Sequence, residues 1–575
     1  MINSSNGKVW NFLECDKDQV QSISEECNIS NIAATILLNR GISDPHEIKS
    51  FLDPKLRNTI PDPSLFLGMD EAVTRIAHAV LAHENIMIFG DYDVDGITST
   101  YLMIHYLKVL GIDAQYYIPN RFTDGYGINS EAIQKAKELQ IDLFIAVDSG
   151  TNSVSEIREA NNFGIDVVVL DHHIQTVNLL PNALAIVNPN RNDQPEIDGY
   201  YTKNLCAAGV VFMLLIALQR HMRGIGFFND GRAAADILEL ADIVALGTLC
   251  DVVDLRGFNR AIVKYCMNRG VHSVGISALM RVFNIKRIES PDDLSFFIGP
   301  AMNAAGRIGN PLVALELLLE SDPENAYKIA NKLGEFNTRR KAIEKQMLSE
   351  AIAMIDKSNM NSRNGICVYS DDWHEGVIGI VAGRLKDMYN KPAFVIASGK
   401  GSARSVPGLH LGDFFTKAVG EGILIGGGGH ALAGGFSIDI SKIDEFNDFI
   451  DRNITRTFPN TLEIDYTLNI NTDLSVIGKE IEVLEPFGKG IEKPLFHFPR
   501  VLIKKTMPTQ TGDHVMLFLQ DEYGHRNIRG VIFGISTKMH LSEILQRKRG
   551  MLVDIVGFIN KNQYGCSIIV VDIRQ

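Results

Sequence analysis

Three β-branched apolar runs, each ending in acid or histidine, constrain this chain more than any other feature. Asn85-Ile-Met-Ile-Phe-Gly90 runs into Asp91-Tyr-Asp93-Val-Asp95-Gly96, Ile141-Asp-Leu-Phe-Ile-Ala-Val147 into Asp148-Ser149-Gly150, and Ile165-Asp-Val-Val-Val-Leu170 into Asp171-His172-His173. Short continuous apolar runs of this kind mark strands buried on both faces, as in a parallel sheet. Open α/β sheets bind ligands beyond the carboxyl ends of their strands. Neighbouring strands that end in carboxylates and imidazoles therefore predict one pocket where these groups converge.

Around those runs, strand-like and helix-like patterns alternate from about residue 65 to 310, the signature of a parallel α/β domain. Ile97 to Leu110 reads as a helix stopped by Gly111. A longer helix starts at Asp322-Pro323 and keeps apolar spacing through Ile329, Leu333, Phe336, Ile343, Met347, Ala351 and Met354 to Asp356. At 1.5 Å per residue it would span about 50 Å, enough to join two domains. Residues 364 to 455 mix strands with Gly-rich turns, and 461 to 575 carry alternating runs such as His514-Val-Met-Leu-Phe-Leu519, with a turn at Asp521-Glu-Tyr-Gly524. Strands at that spacing predict a small β-barrel, of OB-fold type. The expected domains are an N-terminal segment (1–60), a parallel-sheet α/β domain (61–310), connecting helices (311–358), a smaller α/β domain (359–457) and the barrel (458–575).

Composition excludes several classes. With 45% hydrophobic and 22% charged residues, the 575-residue chain can bury several cores. Its seven cysteines are scattered and contain no Cys-x-x-Cys pair, which argues against a disulfide framework or thiolate zinc site and fits the reducing cytoplasm. No secretory signal is expected, and no membrane association: the longest uncharged apolar stretch, Leu205 to Leu218, is shorter than the ~20 residues of a spanning helix and reads as core. The net charge of −13 counts against a nucleic-acid partner, but bound cations would offset a cluster of metal-binding carboxylates. Local basic clusters weigh more, and three occur: Arg339-Arg340-Lys341, Lys504-Lys505 and Arg547-Lys548-Arg549. Each alone is the usual composition of a solvated face.

Asp91, Asp93, Asp95 and Gly96 match the opening of a calcium EF-hand loop, but the twelfth position is Leu102 and the preceding segment reads as strand. His374-Glu375 opens like a zinc-protease motif and fails at Ile378. Mixed carboxylate and imidazole ligands suit Mn²⁺, and an all-oxygen set leans to Mg²⁺. Two such ions can activate water and stabilise both oxygens of an in-line phosphoryl displacement, and a second imidazole can donate a proton or hold a non-bridging oxygen. Farther along, Ile425-Gly-Gly-Gly-Gly-His430 offers backbone N–H groups to a phosphate, unless the glycines merely turn the chain. Ser402 and Arg404 offer hydroxyl and guanidinium donors suited to a terminal phosphate.

Asp91-Tyr-Asp-Val-Asp-Gly96, Val147-Asp-Ser-Gly150, Asp171-His-His173 and Gly247-Thr-Leu-Cys-Asp251 resemble the four motifs of the DHH phosphoesterase superfamily. Ile298-Gly-Pro-Ala-Met-Asn-Ala-Ala-Gly-Arg307, Trp373-His-Glu-Gly-Val-Ile-Gly379 and Gly428-Gly429-His430-Ala-Leu-Ala-Gly434 are similar to motifs of its RecJ branch, in the expected order. The resemblance implies an α/β fold: a DHH domain joined by the long helix to a smaller DHHA1 domain, plus a C-terminal OB-fold. It implies a single-strand-specific 5′-to-3′ DNA exonuclease that releases mononucleotides in recombination and repair, using two Mn²⁺ or Mg²⁺ ions. The metals would be held by Asp91, Asp93, Asp95, Asp148, His172 and Asp251, with Asp148, Asp171 and His173 in catalysis and His173 on the scissile phosphate. Arg121, Ser402 and Arg404 would bind a 5′ phosphate, and Arg307, Gly429 and His430 the strand in a cleft between the two domains. Phe496, Phe498 and Tyr523 are candidate base-stackers on the barrel, although core packing is the commoner role for such side chains. Partners implied are single-stranded DNA, single-stranded-DNA-binding protein and a recombination helicase, for a cytoplasmic monomer. Competing readings are a DHH phosphodiesterase of short oligonucleotides or cyclic dinucleotides, which generally lacks the barrel, and a non-catalytic replication scaffold, in which motif acids are lost.

Overall fold

The apolar runs do form a parallel sheet. Its order is Gln115–Tyr117, Ile86–Phe89, Leu143–Val147, Asp166–Leu170, Ala185–Val187, every pair parallel. Ile86–Phe89 and Leu143–Val147 are buried throughout, because helices cover both faces of the sheet. The computed structural model describes residues 2–3, 8–125, 127–197, 199–455, 460–509, 512–524, 526–535, 541, 552–562 and 565–574. The chain forms two compact units, Asp53–Ile343 with Pro486–Ile491, and Met1–Leu52 with Glu344–Glu485 and Glu492–Gln575.

In the first unit the helix after Ile86–Phe89 runs Val94–Val109, three residues earlier than its apolar pattern indicates, because Asp93 caps it by accepting from the Gly96 N–H at 3.1 Å. Asp95 therefore lies in the first helical turn. The apolar stretch from Leu205 is the buried core helix Ala207–Gly224. The long helix runs Pro323–Lys357. Arg340, taken for part of a solvated cluster, is 7% exposed and donates to Asn337 at 2.7 Å.

The second unit holds a five-stranded sheet ordered Gly426–Gly429, Ala433–Ser437, Lys400–Arg404, Ala393–Ala397, Ile366–Tyr369. A cluster of Phe394, Phe414, Phe415, Phe436, Phe446 and Phe449 packs on it. The glycine run, read from sequence as either a phosphate cradle or a turn, is instead a strand paired with Ala433–Ser437. Its glycines admit the aromatic layer: a Cβ on Gly427 would sit 3.1 Å from Phe436 Cβ and 3.2 Å from Phe415 Cβ. His374 caps the helix Glu375–Tyr389, its Nδ1 accepting from the Gly376 N–H at 3.1 Å, which accounts for the failed zinc motif.

The barrel comprises Phe496–Pro508, His514–Gln520, Asn527–Phe533, Gly565–Arg574 and Leu552–Asn562, and the pairing of Phe496–Pro508 with Leu552–Asn562 closes it. Closure removes the exposed strand edges. Phe496 and Phe498 are both fully buried, since residues two apart on a strand share a face and this face is inward. They are core residues, not stackers; Tyr523, 75% exposed, keeps that possibility. A register shift between Ile503 and Lys505 turns both Lys504 and Lys505 outward. Arg547, Lys548 and Arg549 lie outside the described residues. The N-terminal segment is tied to this unit: Val9–Phe12 pairs with Thr461–Ile464, Trp10 Nε1 donates to Asp572 at 2.8 Å, and Arg40 pairs with buried Asp465 at 2.7 Å.

Candidate metal centre

Register brings the motif ends level. Phe89 lies opposite Ala146 and Val147 opposite Leu170, so Asp91, Asp148 and Asp171 leave the sheet along one carboxyl edge. Asp148 N–H still donates to Leu170 O at 3.0 Å, and its φ of 58° then turns the chain away. Aspartate tolerates this left-handed conformation better than most residues. Asp251 arrives from elsewhere, capping the helix Ala241–Cys250. Gly247, one turn earlier, is what permits it: a Cβ there would lie 2.7 Å from Thr98 Oγ1, 2.8 Å from Ala208 Cβ and 2.9 Å from Asp95 Oδ1. Only a glycine lets this helix approach so closely.

The resulting cluster is tight. His172 Nε2 lies 3.2 Å from Asp148 Oδ1 and 3.7 Å from Asp95 Oδ2, and His172 Nδ1 lies 3.7 Å from Asp251 Oδ2. Three overlapping groups have ligand atoms mutually within 4.8 Å: Asp91, Asp93 and Asp148; Asp95, His172 and Asp251; Asp148, His172 and His173. Asp95 is further fixed by the start of Ala207–Gly224, accepting from Ala207 N–H at 2.7 Å and Ala208 N–H at 3.0 Å.

Burial, followed by mutual repulsion, raises the carboxyls of Asp91, Asp95, Asp148 and Asp251 above the usual carboxylate range. Burial and the neighbouring His173 charge push His172 down to about 4, leaving a neutral imidazole able to ligate a metal. Asp91 Oδ1 and His172 Nε2 are buried without a hydrogen-bond partner among the described residues. Buried carboxylates that repel one another, together with such orphaned atoms, fit a pair of divalent cations.

Asp171 differs from the other acids. It accepts from the N–H groups of Thr151 at 3.0 Å, His172 at 2.7 Å and His173 at 3.1 Å, and lies 2.8 Å from His173 Nδ1. Burial opposes its charge, but the two histidines and these donors outweigh burial and hold its carboxyl well below the usual range. Reciprocally, burial would lower His173, but Asp171, with Asp251 and Asp93, raises it to about 9.

The chain belongs to the RecJ family. Its residues 85–248 match the DHH family N-terminal domain, 363–456 the DHHA1 domain and 464–567 the RecJ OB domain. It is 32% identical over 521 residues to the single-stranded-DNA-specific exonuclease RecJ of Salmonella typhimurium, covering 87% of this chain and 88% of that one. The Haemophilus influenzae RecJ is 33% identical over 510 residues, covering 85% and 87%. Among solved structures, RecJ of Thermus thermophilus in complex with Mn²⁺ superposes with a TM-score of 0.80 at 27% identity, covering 99% of this chain and 79% of that one. An exonuclease RecJ bound to manganese gives 0.59 at 32% identity, covering 69% and 96%.

Within this RecJ-family chain, the acids and histidines from the four motifs meet in one centre. Arg121 stacks on Tyr92, between the first two acids, 4.4 Å from the ring centroid. Arg307 sits on the helix Gly299–Ile308, whose Gly306 would carry a Cβ 2.9 Å from Tyr92 O. Ser402 and Arg404, on Lys400–Arg404, and Gly429 and His430, on the glycine hairpin, belong to the other unit. Sequence reasoning missed Asn188 and Asn190. Asn188 Nδ2 donates to Thr151 Oγ1 at 2.7 Å and His173 O at 2.8 Å, and Asn190 Nδ2 to His172 O at 2.6 Å. They follow the buried strand Ala185–Val187, so the pattern that marked the acids, an apolar run ending in polar side chains, was present here too.

Proposed function

We propose that this protein is a metal-dependent exonuclease specific for single-stranded DNA, which degrades strands 5′ to 3′ to mononucleotides in recombination and repair. The observation that carries the reading is the meeting of His172 with Asp148, 3.2 Å apart, amid three overlapping ligand groups. RecJ relatives named as single-stranded-DNA-specific exonucleases and solved with Mn²⁺ or Mg²⁺ support it.

Asp91, Asp93, Asp95, Asp148, His172 and Asp251 would hold two Mn²⁺ or Mg²⁺ ions, which supply Lewis-acid stabilisation of the phosphoryl group and acidify water. Asp171 fixes His173 through Nδ1, so that a protonated imidazole would hold a non-bridging phosphate oxygen. Asp171 is thereby a positioning residue, with Asn188 and Asn190 fixing the backbone beneath both histidines. Arg121, Ser402 and Arg404 take a terminal 5′ phosphate, and Arg307, Gly429 and His430 contact the strand. The OB barrel grips single-stranded DNA farther along. Single-stranded-DNA-binding protein and a recombination helicase are the partners, and the cytoplasm the compartment, that the family resemblance implies.

The test is digestion of end-labelled single strands, with and without a 5′ phosphate, in Mn²⁺, Mg²⁺ or chelator. Mononucleotides released from the 5′ end only when metal is present are expected. A protein inert on single strands in both metals rejects the function; release from the 3′ end rejects the polarity.

A further inference from the structure

Beside Asp251, one of the residues proposed to hold the metals, lies a cavity of about 390 Å³, within the range of small-ligand sites. Cys250 and Val252, the two neighbours of Asp251 in the chain, both line it, so the cavity adjoins the metal centre through one backbone segment. Opposite walls come from Phe296, Asn303, Phe487 and Lys489. Phe487 and Lys489 are distant from Asp251 in sequence, yet Pro486–Ile491 packs into this unit. Leu255 N–H donates to Lys489 O at 3.0 Å, and Arg260 Nη1 to Pro486 O at 2.8 Å.

Three features mark the cavity as a binding site. Phe296 is 65% exposed on a π-helical turn, Asp293–Ile298, and such turns recur at functional positions. Val252 is 59% exposed with φ of 57°, a conformation costly for a β-branched residue and one that collects at active sites. Lys489 is 57% exposed at the cavity rim and pairs with Asp254 at 3.9 Å, the outer limit of an ion pair, so its ammonium group faces solvent. Apolar walls with an exposed ring, a side-chain amide on Asn303 and a cation at the rim complement a nucleobase joined to a phosphodiester.

We infer that this cavity seats one nucleobase of the DNA strand against Phe296 and Val252, with Lys489 on the adjoining phosphate. The inference rests on the nuclease reading and adds to it a base-holding subsite that links the C-terminal segment Pro486–Ile491 to catalysis. A base anchored there would register the backbone on the acids, so that each step along the strand presents the next phosphodiester.

The test uses the full chain with Mn²⁺ and 5′-phosphorylated single strands, either intact or with one abasic residue placed in turn at each of the first several positions. Phe296→Ala is expected to raise KM for the intact strand about tenfold, the scale of one lost base stack, with kcat nearly unchanged, and Phe296→Trp to restore it. Wild type should lose a comparable factor on one abasic strand only, and Phe296→Ala should lose nothing further on that strand. Lys489→Ala should raise KM on every strand and reduce its salt dependence. The Mn²⁺-induced rise in Tm should be the same in Phe296→Ala as in wild type. Unchanged KM in Phe296→Ala, or equal sensitivity of both proteins to the abasic residue, overturns the subsite while wild-type digestion leaves the nuclease standing. A wild type inert on all strands overturns the nuclease reading itself.

Discussion

His173 Nδ1 lies 2.8 Å from Asp171 Oδ1, which commits that nitrogen to the carboxylate. Asp171 also accepts from three backbone N–H groups, so the amide of Asp171→Asn can keep part of the loop while losing the charge that sustains the imidazolium. That variant should lose about 10- to 100-fold in kcat with KM nearly unchanged, as partners behind a reacting group do. Steady-state kinetics on a phosphorylated single strand check this. A rise in KM at constant kcat would assign Asp171 to substrate binding instead.

Asp148 combines a ligand position with a φ of 58°. Asp148→Asn keeps a side chain that accepts this backbone, so it should fold normally while losing at least ~100-fold in activity. Asp148→Val should lose activity and also about 1–2 kcal/mol of stability, because a β-branched residue is strained there. Denaturant titrations of both variants separate backbone strain from lost ligation.

The parts of this site that lie at strand ends were legible in the sequence, because burial on both faces forces an apolar run and function interrupts it abruptly. Asp91, Asp148 and His172 stood out in that way. Asp251 did not: it follows the mostly apolar helix Ala241–Cys250 rather than a strand, and only the family motif around Gly247 exposed it. The glycine run 426–429 was ambiguous, since nothing local reveals that Phe415 and Phe436 will pack beneath it. Phe496 and Phe498 were candidate stackers for which core packing was the commoner role, and burial bears out the latter; an aromatic strand face reads the same whether it lines a barrel interior or a binding surface. The attachment of Val9–Phe12 to Thr461–Ile464 joins segments from opposite ends of the chain, and no local pattern encodes such a pairing.

Crowding Asp91, Asp95, Asp148 and Asp251 raises all four carboxyls, so the folded chain without cations carries electrostatic strain that divalent ions remove. Mn²⁺ should therefore stabilise the protein. At a hundredfold excess over Kd the gain from one site is about 2.7 kcal/mol, a rise in Tm of about 2–4 °C for a unit of this size, which chelator should reverse. Differential scanning fluorimetry measures it, and His172→Ala should lose most of the shift. A Tm indifferent to Mn²⁺ would count against a metal centre.

Gly379, on the helix Glu375–Tyr389, faces the pair proposed to bind a terminal phosphate. A Cβ there would sit 2.9 Å from Ser402 Oγ and 3.4 Å from an Arg404 guanidinium nitrogen. Gly379→Ala should thus crowd an incoming anion more than it disturbs the fold, since Ser402 Oγ can rotate. The expected result is a selective loss, about tenfold, in kcat/KM on 5′-phosphorylated strands, the scale of a weakened charge-assisted hydrogen bond. Turnover of strands ending in a 5′ hydroxyl should change little. Equal losses on both substrates would show that the helix does not discriminate ends.

His497 supplies a pH dependence remote from the metal centre. Its ring packs edge-on to Trp10 at 5.7 Å and Phe12 at 5.1 Å, where the N-terminal segment meets the barrel. Burial lowers its pKa from the ordinary 6.5, with Arg574 adding to that and Asp554 opposing it. A histidine harder to protonate when folded binds more protons unfolded, so its contribution is fully present above pH 6.5 and is lost as pH falls toward the depressed folded value. Acidification should therefore loosen the N-terminal segment from the barrel, displacing Trp10 emission to longer wavelength in a Trp373→Phe background. His497→Gln should flatten that transition below pH 6.5, because an amide of similar reach takes no proton. A transition that persists unchanged in His497→Gln would assign the acid sensitivity to another group.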